Sequence, residues 1–210
     1  MIRYLYADQL AREPALQPEM FRDRADQFGR RLGWNVTVDS QGEERDAYDG
    51  EHPLYVLWQS ADGGHGGSMR FLPTTGRTMV NDHFSHLTGG GRIERPLIWE
   101  CTRFCLSQGA GGQVAAALML AGGEIMRNFG LRHFVGVFDA RMVRIYRRIG
   151  ASPEVLGSAG TGRKRVSVGL WEFSEAARAQ VATSAGLSPA QSAHWFDRAF
   201  GGPPSLAVSA

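Results

Sequence analysis

Apolar positions along this chain switch between a period of two and helical spacing. Ile2–Tyr6 alternates and predicts a first strand. Phe21, Ala25, Phe28 and Leu32 recur at helical spacing and predict a helix with one buried face; Pro18 suits its first turn and Gly33 its stop. Residues 35–50 are polar and rich in turn formers, and predict an ordered loop. Two runs, 53–60 and 68–73, predict a hairpin across the glycine-rich turn 62–67. Residues 97–106 predict a central strand, 108–112 a glycine-rich turn, and the apolar stretch after it a long helix to about Phe129. A strand at 134–138, a helix at 140–149 stopped by Gly150, a late strand at 165–173, and helices at 174–185 and 188–200 complete the order. The last helix opens on Ser188-Pro189-Ala190-Gln191, a capping pattern. Strands in a run, then strand-turn-helix-strand-helix, predict an α/β fold: a three-layer sandwich around one mixed, bulged sheet. One domain is expected over residues 1–200, and a flexible C-terminal tail over 201–210, where no apolar period remains.

The polar residues that interrupt apolar runs are the candidates for chemistry. Glu100 and Arg103 sit inside 97–106, and burying a carboxylate is costly unless it is paired or working. On a regular strand, Glu100 and Thr102 share one face and Cys101, Arg103 and Cys105 the other. A β-bulge or splay is therefore expected here if Glu100 and Arg103 serve one cleft. Arg24 lies one turn before Phe28 on the buried helix face, either snorkelling at the core edge or facing an anion. Arg70 alternates with Ser68 and Leu72, away from Met69 and Phe71; its partner is Asp49, Glu100 or a substrate carboxylate. Trp34 reads as a core aromatic or as the apolar wall of a site. The charge run from Glu44 to Asp49 reads, by itself, as a solvated loop.

A formal net charge of +2 argues against a dedicated nucleic-acid binder. No apolar stretch reaches membrane-span length and no leader pattern opens the chain, so a cytoplasmic protein is expected. Cys101 and Cys105, four apart in one strand, are too distant for a disulfide and read as buried thiols in a reducing compartment. His83 and His86 beside Asp82 are too few for a metal site, and none is expected. Arg141, Arg144, Arg147 and Arg148 give the helix at 140–149 a basic face opposite Met142, Ile145, Tyr146 and Ile149. Such a face is either plain solvated surface or a dock for an acidic protein.

Four pieces occur in order: Arg24, Phe28 and Trp34; Glu44-Arg45-Asp46-Ala47-Tyr48-Asp49; Arg70-Phe71-Leu72-Pro73-Thr74-Thr75; and Leu97-Ile98-Trp99-Glu100-Cys101-Thr102-Arg103-Phe104. In that order and spacing they resemble the acyl-homoserine-lactone synthases, the LuxI-type autoinducer synthases, from about Arg24 to Gly150. The resemblance implies the architecture of the GCN5-related acyltransferases. It also implies a reaction in which the amine of S-adenosylmethionine is acylated from a thioester carrier and the product lactonises with release of methylthioadenosine. Both enter as substrates, and no tightly bound cofactor is expected. By the same resemblance Arg24, Phe28, Trp34, Asp46, Asp49 and Arg70 bind S-adenosylmethionine, while Glu100, Arg103 and Asp49 are catalytic, with Glu100 the base. Thr102, Phe104, Gly136 and Phe138 are expected along the acyl chain and pantetheine arm. The basic helix face would dock acyl carrier protein, and acyl-coenzyme A is the other suitable donor.

Synthases of this type that make 3-oxo products often carry threonine where this chain has Gly136. Glycine there predicts unsubstituted or 3-hydroxy chains of medium to long length, unless it serves only close strand packing. Two rival readings share the architecture: an acetyl-coenzyme-A-dependent N-acetyltransferase and a non-catalytic acyl-binding module.

Overall fold

A computed structural model describes residues 1–201; apart from Gly201, the expected tail lies outside the described residues. Strands β1 (Ile2–Tyr6), β2 (Leu54–Gln59), β3 (His65–Pro73), β4 (Ile98–Leu106), β5 (His133–Asp139), β6 (Glu154–Ala159) and β7 (Val166–Glu172) form one sheet in the order β1-β2-β3-β4-β5-β7-β6. Every neighbouring pair is antiparallel except β4 with β5, so the sheet is mixed, as expected. Strand β6 has no forerunner in the sequence pattern. It is an edge strand with exposed Val155 and Leu156, so no buried face writes a period into it.

Helices α1 (Ala7–Leu10), α2 (Leu16–Arg24), α3 (Met79–His83), α4 (Gly112–Phe129), α5 (Ala140–Ile149), α6 (Glu175–Ala185) and α7 (Pro189–Phe200) cover the sheet. On one side α4 packs against the sheet and against α6 and α7. Its Ala116, Leu118, Ala121 and Ile125 join Val56, Met69 and Phe71 in the main core. On the other side, Leu16, Met20 and Phe21 of α2 meet Tyr55 and Leu57. The result is the expected three-layer sandwich. The helix expected through Leu32 departs from α geometry: after Arg24 it continues as a π-helical turn over Ala25–Arg31. Helix α7 starts as its cap predicts, with the Ser188 hydroxyl accepting from the Gln191 N–H.

Two irregularities of β4 shape the cleft beside it. It pairs with β5 only at Ile98↔His133, Trp99↔Phe134 and Glu100↔Val135, and then the two strands part. Gln27, in the π-helical turn, takes over part of that lost pairing. Its amide donates to the Phe104 carbonyl at 2.7 Å and accepts from the Leu106 N–H at 2.9 Å. Against β3 the register runs from Arg70↔Thr102 to Ser68↔Cys105, one extra residue on β4. Arg103 sits in this bulge with φ of 52°, a left-handed conformation uncommon for a side-chain-bearing residue.

Candidate active site

The bulge decides which way Arg103 faces. Alternation alone would send it with Cys101 toward α4. Instead it reaches the α2 side, where Arg70 and Thr102 also point, and the Arg70 Nε donates to the Thr102 hydroxyl at 3.1 Å. Cys105 follows onto this side, so the two thiols, expected on one face, lie on opposite ones. Cys101 packs on Met69, and burial pushes its thiol up to about 12.

Arg24, Arg70 and Arg103 interlock here with Glu44, Asp46 and Asp49. Arg24 donates to Glu44 at 2.6 Å and holds Asp49 bidentately at 2.8 and 2.9 Å. Arg70 grips both oxygens of Asp46 and reaches Asp49 at 2.8 Å. Arg103 bridges Glu44 at 2.9 Å and Asp46 at 2.7 Å. The Tyr55 hydroxyl donates to Asp49 at 2.6 Å, and the Asp46 N–H adds a further bond to it. Burial opposes the Asp49 charge, but Arg24 and Arg70 beside it hold its carboxyl well below the usual carboxylate range. The charge run is therefore not the solvated loop that its composition alone describes.

The network grades from buried to open. Arg24 and Arg70 side chains are 1% and 0% exposed, whereas Arg103 and Asp46 keep 11% and 18%. Among the described residues, the Nε of Arg103 is buried without a partner, a spare donor at the open end. Glu44, buried between Arg24 and Arg103, was missed as a site residue in the sequence. Its signal was membership of the charge run, but spacing alone does not distinguish it from its neighbours.

Glu100 is fully buried and does not pair with Arg70. Its two oxygens accept the Val80 N–H at 2.5 Å and the Met79 N–H at 3.1 Å, at the start of α3. Burial raises its carboxyl to about 7, with these N–H groups and Arg70 pulling the other way. A carboxyl near 7 is half ionised at neutral pH, the balance a general base needs. The short helix that seats it has no periodic signature in the sequence, so nothing local announces the seat.

A cavity of about 640 Å³ crosses the sheet where β4 and β5 part. Phe28, Trp34 and Arg103 line it on the α2 side, Thr102, Phe104, Gly136 and Phe138 at the gap, and Met119, Gly122 and Met126 on the α4 side. Trp34 is not a core residue: it is 41% exposed and stacks on Phe28 at 5.1 Å. Among the expected residues, Arg24, Asp46, Asp49, Arg70 and Glu100 stand outside this lining and Arg103 bridges the two groups. At Gly136, an added Cβ would meet the Cys101 carbonyl oxygen at 2.8 Å and Trp171 at 3.3 Å. The Cys101 carbonyl, placed just where β4 leaves β5, thus requires glycine, whatever its effect on the acyl chain, and threonine does not fit. Arg141 lines the cavity and pairs with Asp139 at 3.0 Å; Arg144, Arg147 and Arg148 are exposed along α5. Tyr146 and Ile149 are buried as expected, but Ile145 is 37% exposed beside the cavity.

The family model described as autoinducer synthase matches residues 8–181. An acyl-homoserine-lactone synthase of Rhizobium etli is 41% identical over 179 residues, covering 82% of this chain and 84% of that protein. Among solved structures, MesI, a CoA-dependent acyl-homoserine lactone synthase, superposes with a TM-score of 0.78 at 26% identity, over 91% of this chain and 98% of that one. TofI, solved in a ternary complex with an inhibitor and MTA, gives 0.73 at 27% identity, over 91% and 99%. FeeM, an N-acyl amino acid synthase from uncultured soil microbes, shares the fold alone, with a TM-score of 0.56 at 12% identity over 86% and 98%.

Proposed function

The chain belongs to the autoinducer synthase family, and from that premise we propose how its own residues acylate S-adenosylmethionine and close the product to an acyl-homoserine lactone. It is an acyltransferase, as its curated relatives are. The observation that carries the rest is Glu100: a buried carboxyl raised to about 7 beside the gap where the cavity crosses the sheet.

In this reading Trp34 and Phe28 wall S-adenosylmethionine, and Asp46 and Arg103, the open members of the charge network, meet its amino and carboxylate groups. Arg24, Arg70 and Asp49 are positioning residues that fix those two. Glu100, directly or through a water, takes the proton as the amine attacks the thioester carbonyl. A C–N bond forms, the C–S bond breaks, and the thiol leaves with a proton. Backbone N–H groups of β4 beyond Glu100, where β5 no longer pairs, stabilise the oxyanion. The methionyl carboxylate then attacks the γ-carbon, a C–O bond forms, and methylthioadenosine leaves with the C–S electron pair. That step needs mainly orientation, because a sulfonium is already a good leaving group.

The acyl chain extends through the gap past Thr102, Phe104, Gly136 and Phe138 toward α4. Gly136 offers no side-chain donor to a 3-oxo group, so unsubstituted or 3-hydroxy chains are the expected donors. The basic face of α5 at the cavity margin suits an acidic acyl carrier protein. Mass spectrometry after incubation with S-adenosylmethionine and matched panels of acyl-coenzyme A and acyl carrier protein thioesters tests this. Acyl-homoserine lactone with an equal yield of methylthioadenosine is expected. Thiol release without lactone, or acetylation of another amine, would overturn the reading, and preference for 3-oxo donors would overturn its specificity.

A further inference from the structure

Helix α4 carries two adjacent glycines, Gly122 and Gly123, in mid-helix. Glycine is a poor residue there, because it surrenders the most backbone freedom on folding. The ordinary reasons for tolerating it are absent. Neither has positive φ, and α4 runs unbroken from Gly112 to Phe129. Nor does packing exclude a side chain. A Cβ on Gly123 would meet only the Arg178 Cγ, at 3.8 Å, and one on Gly122 would touch side-chain atoms of Phe134 at 3.4 Å, Phe71 at 3.7 Å and Met69 at 3.9 Å, with no backbone among them. The first is ordinary contact and the second lies at its near edge, against side chains only, unlike the 2.8 Å to backbone that forces glycine at Gly136. What the two share is the cavity: both line it, with Met119 and Met126 on the same helix.

We propose that Gly122 and Gly123 are specificity-determining residues, whose missing side chains hold open the α4 end of the acyl-chain pocket and set the longest chain accepted. This rests on the reading of the cavity as the acyl site. The chain's terminal carbons then lie against α4, and each methyl group added to the helix takes space from them. Excluding one methylene from an apolar pocket changes selectivity about 10- to 200-fold.

The test compares the parent with Gly123→Ala and Gly122→Ala on saturated acyl donors from butyryl to hexadecanoyl, presented on both carriers. Both substitutions are expected to raise Tm, since alanine favours the helix and meets no clash. They are expected to lower kcat/KM for the longest accepted donor about 10-fold or more relative to that for the shortest accepted donor. A fall in Tm would make the glycines a packing requirement and overturn the proposal. An unshifted chain-length profile in both variants, with the parent active, would overturn it while leaving the proposed function intact. A parent that turns over no acyl thioester at any length would overturn both.

Discussion

At the scale of single residues, Glu100 is the sharpest point. Its burial raises the carboxyl to about 7, so the acyl-transfer rate should climb with pH and level off above about 7. Glu100→Gln removes the proposed base and should slow acyl transfer about 10²- to 10⁴-fold, read as thiol release. It should also lose about 1–3 kcal/mol of stability, because its NH₂ group must face one of the two backbone donors at Met79 and Val80. A variant that keeps near-full rate at neutral pH would remove Glu100 from the base role. The sequence marks Glu100 because an acid inside an apolar strand is conspicuous. It does not mark Glu44, one charge among several in a polar loop, whose importance arises only from what packs over it.

Elements explain how these residues are brought together. The expected bulge in β4 exists, and it lies at Arg103 and just beyond, so Glu100 and Thr102 keep regular register while Arg103 turns to join Arg70. The splay of β4 from β5 leaves strand backbone that another group must satisfy, and Gln27 does so. Gln27→Leu should therefore destabilise the fold by about 1–3 kcal/mol per lost backbone partner. Denaturant unfolding checks this; a midpoint equal to the parent's would mean that water serves those groups as well. On α5, Arg144→Glu with Arg148→Glu should raise KM for acyl carrier protein donors and spare acyl-coenzyme A. Added salt should raise the same KM in the parent. A salt-insensitive, unchanged KM would point to coenzyme A as the donor, or to another docking face.

For the whole molecule, two carboxyls with opposite shifts predict a stability profile. Asp49 has its folded pKa depressed, so its contribution is present above the ordinary carboxylate range and is lost as pH falls below it. Glu100 has its folded pKa raised. Between its ordinary 4.5 and about 7 the unfolded chain holds fewer protons than the folded one, so stability declines as pH rises through that window. These two terms together favour mildly acidic conditions. Subtracting the Glu100→Gln profile from the parent's should isolate the decline between 4.5 and 7. A flat difference across that window would mean that Glu100 is not shifted by its burial.

Period and punctuation in the sequence determined the order of most strands and helices, the mixed sheet and the three layers, because each element writes its buried face into local spacing. Four short constellations determined the family, because residue types at fixed separations survive without any knowledge of the fold. The tertiary structure alone decided what depends on distant segments meeting. Edge strand β6, the seat of Glu100 on α3, and the closed ring of charges around Asp49 have no local period to announce them. Gly136 shows the same division at one position. The sequence offers two readings of a glycine in a strand, and the nearness of the Cys101 carbonyl selects close packing as a requirement. Which way Arg103 points was likewise decided by one extra residue in the register between β3 and β4, a property of the pair of strands and not of either one.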